Sequence, residues 1–358
     1  MSELTWVVRS YLPGDEEQII ALFEEVFGKP MGLTESAKHW TWEFGENPSG
    51  LFMITLAFND SRVVGQYAVV PLRFTIDGEE RLAGLSLDTM VHPDYRRQDM
   101  FSITAKALFD DFEKLGAAFV YGFPNKNSIH SFREKLDWRT VMQLPLQVCA
   151  LRPGRFAAER LGLPVARLIN LIFSTVRRVN CLFLGKAHPS IEICEVSDFT
   201  WADNFWQRAK CFHRLWVTRD TAYLTWRYSR PESDYRIRIA KKDGEVVGYV
   251  VTSLRDWNGY CTLFILDLVV DPSERAATDA LVANVLRQGQ ESSAEIITAI
   301  VPRGSPYLLS LKRHLFVSLP KQFFPRELYF GGRLFDVDPA LFEDYTSWHL
   351  SWGDSDLV

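Results

Sequence analysis

The sequence predicts a mixed α/β fold in which one unit occurs twice. Two observations carry this expectation. The stretch from Gly84 to Trp138 reads strand, turn, helix, strand, turn, helix. Short patterns of the first half also return, in the same order, in the second. Trp40-Thr-Trp-Glu-Phe44 with Pro48 is echoed by Tyr223-Leu-Thr-Trp-Arg-Tyr228 with Pro231. Arg62-Val-Val-Gly-Gln66 is echoed by Glu245-Val-Val-Gly-Tyr249, and Leu87-Asp-Thr-Met-Val-His-Pro93 by Leu266-Asp-Leu-Val-Val-Asp-Pro272. Arg133–Trp138 returns more weakly as Leu311–Phe316. The spacing between matched blocks drifts by only a few residues, so loops rather than elements have changed length.

Taken in order, Trp6–Tyr11 is a short strand and Pro13-Gly14-Asp15 a turn. Glu16–Phe27 follows as an amphipathic helix with Ile19, Ile20, Leu22, Phe23 and Val26 inward. Lys38–Phe44 reads as helix and stops before Asn47-Pro48. Leu51–Phe58 and Arg62–Val70 form a hairpin through Asn59-Asp60. A separate strand, Leu72–Ile76, turns at Asp77-Gly78 towards Gly84–Val91, which Pro93 closes because it supplies no ladder N–H. A helix from Met100 to Leu115 presents Phe101, Ala105, Leu108, Phe109, Phe112 and Leu115 at helical spacing and stops at Gly116. Ala117–Phe123 is a second buried strand, and a helix after Pro124–Ser128 runs to Leu136. The expected domains are residues 1–145, a helical connector 146–190, a second domain 191–335, and a tail 336–358 with a strand at Trp348–Trp352. Within the connector, Leu161–Leu184 reads either as a membrane span or as a buried or domain-bridging helix. Arg167, Arg177, Arg178 and Asn180 interrupt it, and no unbroken apolar run approaches ~20 residues, which favours the latter.

Composition sets bounds. The chain has 358 residues, 47% hydrophobic and 24% charged, enough for two ordinary domains with sizeable cores. The net charge of −5 argues against a nucleic-acid groove. Cys149, Cys181, Cys194, Cys211 and Cys261 are scattered, form no Cys-x-x-Cys and have no nearby His, which argues against metal ligation and disulfides. With no basic start or apolar run at Met1–Trp6, the expected location is the cytoplasm.

The central stretch has a chemical use. A turn that feeds a helix N-terminus presents backbone N–H groups and the positive end of the helix dipole, which suits a pyrophosphate. Val91, Pro93, Arg96, Asp99 and Phe101, then Tyr121-Gly-Phe-Pro-Asn-Lys-Asn127 and Phe132-Arg-Glu-Lys-Leu-Asp-Trp138, resemble motifs A and B of the GNAT (Gcn5-related) N-acyltransferases. With the repeat, the chain resembles the tandem-GNAT architecture, and more loosely the members associated with amino-sugar and polysaccharide assembly. The resemblance implies an α/β, mixed-sheet fold of two GNAT-like domains, with a first copy that binds CoA and a degenerate second. It implies acyl-CoA, acetyl or longer, as co-substrate, no metal, and pantetheine in a splay between two strands. Carried over residue by residue, the cofactor site is Met90, Val91, Arg96, Arg97, Gln98, Asp99, Met100, Phe101, Ser102, Asn125, Asn127 and Phe132.

The departures are specific. Asp99 and Phe101 replace the two turn glycines of the family, and a carboxylate at a phosphate site is repulsive unless Asp99 points away or caps the helix. Arg133 stands near the position of the family's acidic Tyr. The second copy reads Ser273-Glu-Arg-Ala-Ala-Thr-Asp279 after Pro272, with one Arg and no glycine, and its later turn, Pro302–Pro306, lacks the Asn pair. The catalytic candidates are His130 and Asp88. Either accepts an amine proton, or they are respectively an exposed helix His and a structural acid, since Asp267 matches Asp88 in the degenerate copy. Trp40, Trp42, Tyr67, Arg73 and Tyr121 are the acceptor-site candidates, with a Trp-rich core as the other reading.

The leading expectation is an acyl-CoA-dependent N-acyltransferase acting on a small amine, with an amino sugar, nucleotide-linked, as the best guess. The expected protein is a monomer or dimer with no nucleic-acid or membrane partner. The competing readings are a degenerate binding or scaffold protein, and an aminoacyl-tRNA-dependent transferase of the peptidoglycan-bridge type.

Overall fold

The computed structural model describes residues 6–28, 33–154, 163–164, 167–169, 171–173, 175, 190–231, 233–319 and 327–357. The chain forms two compact units. The first comprises Met1–Gln143, Arg214–Glu232 and Arg326–Ser347, and the second Leu144–His213, Ser233–Pro325 and Trp348–Val358.

In the first unit, β1 (Val7–Ser10), β2 (Met53–Asn59), β3 (Arg62–Ile76), β4 (Glu79–Val91), β5 (Phe119–Gly122) and β6 (Arg139–Gln143) belong to one mixed sheet. Its order is β1-β2-β3-β4-β5-β15-β6, where β15 is Tyr329–Leu334, and only β4 and β5 run parallel. The tight turns follow from local chemistry. Asp77 and Gly78 take φ 49° and 86°, the double left-handed geometry that matches strand twist in a hairpin. Helix α1 (Glu16–Phe27) buries Ile19, Ile20 and Leu22 and ends on left-handed Gly28. Helix α2 (Leu33–Trp40) runs into a π-helical turn, Thr41–Gly45. Helix α3 (Met100–Lys114) packs Ala105, Leu108, Phe109 and Phe112 onto the sheet with Tyr67, Val69 and Val120. Helix α4 (Ile129–Leu136) follows β5.

The second unit repeats the plan. Strands β7 (Leu146–Ala150), β8 (Glu192–Val196), β10 (Arg236–Lys242), β11 (Glu245–Trp257), β12 (Tyr260–Val270), β13 (Ile296–Ile300) and β14 (Val317–Ser318) form a sheet of order β14-β7-β13-β12-β11-β10-β8. Among the described residues only β12 and β13 run parallel. Helices α5 (Ala202–Ala209), α7 (Arg275–Glu291) and α8 (Leu308–Arg313) accompany it, and α7 buries Ala277, Leu281, Val282, Val285 and Leu286. Between the two stretches of this unit lie β9 (Leu215–Val217), which pairs with β3, and α6 (Thr221–Arg227), both in the first unit. Helix α9 (Pro339–Glu343) also belongs to the first unit.

Several expectations are corrected. Arg62–Val70 and Leu72–Ile76 are one strand that runs through Pro71. On one side β2 pairs only up to Val69 and β9 only from Phe74, so Pro71 sits in a gap where β3 has no strand neighbour on that side. Residues 146–150, placed in a helical connector, are strand β7 of the second unit's sheet. Conversely β15, from the later part of the chain, enters the first sheet between β5 and β6. At Gly331 an added Cβ would stand 2.1 Å from the Arg139 carbonyl oxygen, so the insertion needs glycine. Strand pairing is decided by long-range packing, which short apolar runs do not encode. Trp348–Trp352 is not a strand but a buried, irregular segment. The run 161–184 lies mostly outside the described residues. Its described members Leu163, Leu168, Leu171, Ile172 and Phe173 are exposed, not buried.

Candidate active site

Strands β4 and β5 pair at two positions only, Gly84 with Val120 and Leu85 with Tyr121. Strand β5 then ends at Gly122, while β4 continues to Val91. Ser86–Val91 therefore have no strand partner on that side among the described residues. Strand β4 is also bulged there. Its register against β3 jumps from Met90–Gln66 to Leu87–Ala68, and Asp88 takes φ 45°. Buried Gln66 holds the bulge, donating from Nε2 to the Asp88 carbonyl oxygen at 3.0 Å. A bulge that re-aims backbone groups beside a strand opening is a common device of functional sites.

The chain then leaves β4 through a 3₁₀ turn, Pro93–Tyr95, and enters α3. Arg97 and Asp99 adopt φ 64° and 54°. Asp99 stands where the family resemblance places glycine, and it takes the left-handed conformation that glycine provides; Asp is among the side chains that tolerate it. Its carbonyl oxygen accepts from the N–H of Ser102 and Ile103 and from Ser102 Oγ. Its side chain does not cap the helix. Lys135 Nζ on α4 approaches its carboxylate to 2.5 Å, and this hydrogen bond holds the Asp99 carboxyl below its usual pKa range. The backbone N–H groups of Arg97 to Phe101 have no acceptor among the described residues. Arg96 and Arg97 are exposed, and neither forms an ion pair among the described residues.

Packing anchors this turn. Met100 is buried against Trp6, Ala57 and Val64. A Cβ on Gly65 would lie 2.3 Å from Met100 Sδ, so glycine in the repeated Val-Val-Gly pattern is what seats the helix start. Trp6 Nε1 donates to Gln98 Oε1 at 3.0 Å. Phe101 packs on Phe132 of α4 at 5.1 Å between centroids, and Phe132 on Trp138 at 4.9 Å. The structure thus brings Arg96–Ser102 and Phe132 together. Met90, Met100 and Ser102 contribute as buried supports, and Val91 packs beside Met100. Asn125 Oδ1 accepts from the N–H of Asn127 and Ser128, so it shapes the turn into α4. His130 is on the solvent face of α4, 75% exposed, with Nε2 3.0 Å from Glu134. Asp88 is half-buried at the bulge.

The acceptor-site candidates divide. Tyr67 and Tyr121 are fully buried. Tyr67 packs on Phe101 and Phe109 and its OH accepts from Ser86 Oγ at 2.8 Å, whereas Tyr121 sits among Phe74, Phe119, Phe123 and Phe330. Both are core residues, because in-facing positions on central strands bury whatever aromatic they carry. Arg73 is held by Asp220, the N-cap of α6, at 2.5 Å. Trp40 stacks with Phe52 and lies against Tyr11. Trp42 lines a cleft of about 890 Å³ with Glu17, Lys38, Thr41, Glu46 and Pro231. Around Trp42 the structure assembles residues that sequence reading left out. Trp226 stacks on it at 5.5 Å, the guanidinium groups of Arg227 and Arg230 each lie 5.8 Å from its ring, and His39 is 5.3 Å away. Burial, then Arg230 and Arg227, lower the His39 pKa to about 4. The Glu43 carboxylate, 3.7 Å from Nε2, does not outweigh them. The Trp pairing was signalled by the repeat itself.

The second unit differs at the matching place. Tyr307 OH hydrogen-bonds both the N–H and the carbonyl oxygen of Val270, at 3.2 and 3.1 Å, at the end of β12. Asp267, the counterpart of Asp88, is buried and accepts from Tyr249 OH at 2.9 Å, where Gln66 in the first unit bonds a backbone carbonyl instead. His349, Leu350 and Ser351 lie beside Leu268 and Ala299–Val301, leaving a cavity of only about 10 Å³.

Residues 7–141 match the acetyltransferase (GNAT) domain model, and residues 201–301 match the acetyltransferase (GNAT) family model. The chain carries two GNAT domains in tandem. That is the acetyltransferase fold, and it puts the chain among N-acyltransferases in general. Similar solved structures include a GCN5-related N-acetyltransferase from Anabaena variabilis, at 10% identity and TM-score 0.63, covering 91% of this chain and 72% of that one. Another, from Kribbella flavida, is 14% identical with TM-score 0.60, covering 92% and 71%. A third is the GCN5-related glucosamine N-acetyltransferase region of a fungal multi-domain β-N-acetylglucosaminidase, 14% identical with TM-score 0.57, covering 93% of this chain and 38% of that one. At these identities the likeness concerns the GNAT fold. No curated protein matches the sequence.

Proposed function

We propose that the first GNAT domain binds acyl-CoA and transfers its acyl group to the amine of a small acceptor by direct attack in a ternary complex. The observation that carries this reading is the Arg96–Ser102 turn. It keeps a left-handed, glycine-like backbone with no glycine, and among the described residues its Arg97–Phe101 N–H groups meet no acceptor and its two arginines no acidic partner. Those features fit a pyrophosphate, and the β4–β5 opening fits an extended pantetheine arm. Bound there, acyl-CoA supplies the activated thioester. Arg96 and Arg97 bind phosphate, with Lys135 neutralising Asp99. Backbone N–H groups of bulged β4 near Val91 orient and polarise the carbonyl, and positioning supplies most of the rate. Asp88 or His130 takes the amine proton, or the amine enters already neutral.

For the acceptor we propose an amino sugar, nucleotide-linked, of surface polysaccharide synthesis. Its support is the aromatic surroundings of Trp40 and Trp42 and the sugar-acetylating activity in the name of the fungal neighbour. A binding or scaffold role is the second reading. Asp99 at the turn and the occupied opening of the second unit favour it. Titration calorimetry with acetyl-CoA decides between them. The enzyme reading expects one site per chain, and absence of binding heat overturns it. Amine acetylation assays with glucosamine-type sugars then test the acceptor.

A further inference from the structure

The first unit carries Gln66 where the repeat places Tyr249 in the second, and Asp88 where it places Asp267. The backbone changes with the side chains. In the second unit Tyr249, Val250 and Val251 pair regularly with Val269, Leu268 and Asp267, and Asp267 is not left-handed. The bulge falls beyond them, at Leu266, between the pairs Val251–Asp267 and Thr252–Ile265. Tyr249 OH reaches the Asp267 carboxylate. In the first unit Gln66 pairs with Met90 and Ala68 with Leu87, so Asp88 and Thr89 stand opposite Tyr67 alone, and Asp88 takes φ 45°. Gln66 bonds the backbone of this bulge rather than a carboxylate. It is only 1% exposed, and among the described residues its Oε1 meets no donor. A buried acceptor left unmet is costly. The bond that justifies a glutamine here is the one from Nε2 to the Asp88 carbonyl oxygen, at 3.0 Å.

A trans peptide carries its C=O and N–H on opposite sides, and no cis bond occurs among the described residues. With the Asp88 carbonyl turned to Gln66, the Thr89 N–H of the same peptide points away from Gln66. We propose that Gln66 is a positioning residue for acyl transfer. It locks the Asp88–Thr89 peptide so that the Thr89 N–H faces the β4–β5 opening and polarises the thioester carbonyl oxygen there. Such a donor helps most when it is held in place before charge develops on the oxygen. An amide suits the task because it donates at every pH, whereas a tyrosine hydroxyl at this place is drawn to the carboxylate, as in the second unit. The inference rests on the acyltransferase reading and deepens it.

The test is infrared difference spectroscopy of acetyl-CoA, isotope-labelled at the thioester carbonyl carbon and bound to the full chain without an acceptor. In the unchanged protein the carbonyl stretch should move to lower frequency on binding. Gln66→Met keeps the volume and deletes the donor, so part of that shift should be lost. Gln66→Glu should lose it at about pH 8, where a carboxylate cannot donate. It should regain it at about pH 5, where burial favours the protonated acid, which donates to the Asp88 carbonyl. The unchanged protein at both pH values gives the baseline. Acetyl-CoA affinity in calorimetry should hold in both variants, because the Arg96–Ser102 turn is untouched. An undiminished shift in Gln66→Met overturns the proposal. So does a Gln66→Glu shift that stays lost at about pH 5, a comparison made within one protein and so independent of how Gln66→Met folds. Absence of acetyl-CoA binding by the unchanged protein overturns the acyltransferase reading itself, whereas normal binding with an undiminished shift overturns the role of Gln66 alone.

Discussion

Trp42 and Trp226 each donate the indole N–H to the other's backbone carbonyl oxygen, at 2.7 Å in both directions. They stand 184 residues apart, at matching places in the repeat, and their rings stack at 16°. Both residues belong to the first unit, so the exchange is internal to it. Replacing either by Phe keeps an aromatic ring but leaves a carbonyl without its donor, at a cost of about 1–3 kcal/mol. The double variant should lose less than the sum, because the bonds share one geometry. Urea unfolding of the four proteins measures this, and strict additivity would show the exchange to be incidental.

The phosphate turn is tested by Arg96→Ala combined with Arg97→Ala. Both side chains are exposed, so the melting temperature should hold. Acetyl-CoA affinity should fall by about 100-fold or more, at roughly 1.5–3 kcal/mol for each of two charged hydrogen bonds. Unchanged affinity in calorimetry would move the pyrophosphate elsewhere.

Asp99 offers the opposite change. Asp99→Gly suits the left-handed backbone and removes a carboxylate from the turn, while losing only a solvent-exposed pair with Lys135. Stability should change little and acetyl-CoA should bind several-fold tighter. Lys135→Ala leaves the carboxylate uncompensated and should weaken binding. The two variants moving affinity the same way would contradict this electrostatic reading.

His39 gives a pH dependence. Its folded pKa is lowered from 6.5 to about 4. As pH falls below the unfolded value, the unfolded chain takes up a proton that the folded one refuses, so stability declines between pH 6.5 and about 4. The full decline is about 3 kcal/mol at 1.36 kcal/mol per unit. In His39→Gln the denaturation midpoint should depend less on pH across that window; an identical slope would remove His39 as the cause.

For proton transfer, Asp88→Asn retains a side chain that accepts the left-handed backbone of the bulge, and His130→Ala removes an exposed ring. Loss of the true base should lower the rate by about 10²–10⁴ with CoA affinity unchanged. Near wild-type rates for both across pH 6–9 would mean that neither takes the proton and that positioning alone drives the reaction.

The sequence by itself determined the duplication, the mixed α/β class, and the helices and strands that flank the Arg96–Ser102 turn. These are local matters: apolar spacing in α1 and α3, primed-turn residues at Asp77-Gly78, and patterns such as Val-Val-Gly that recur at nearly constant distance. Only the tertiary structure decided that Tyr67 and Tyr121 are core, that Lys135 answers Asp99, that Trp42 meets Trp226, and that β7 and β15 each complete the sheet of the other half. Each of these depends on which distant residue arrives at a given face or sheet edge. Period and propensity say that a side chain is buried or a strand wants a partner, but partners far apart in the chain are chosen by packing the whole unit.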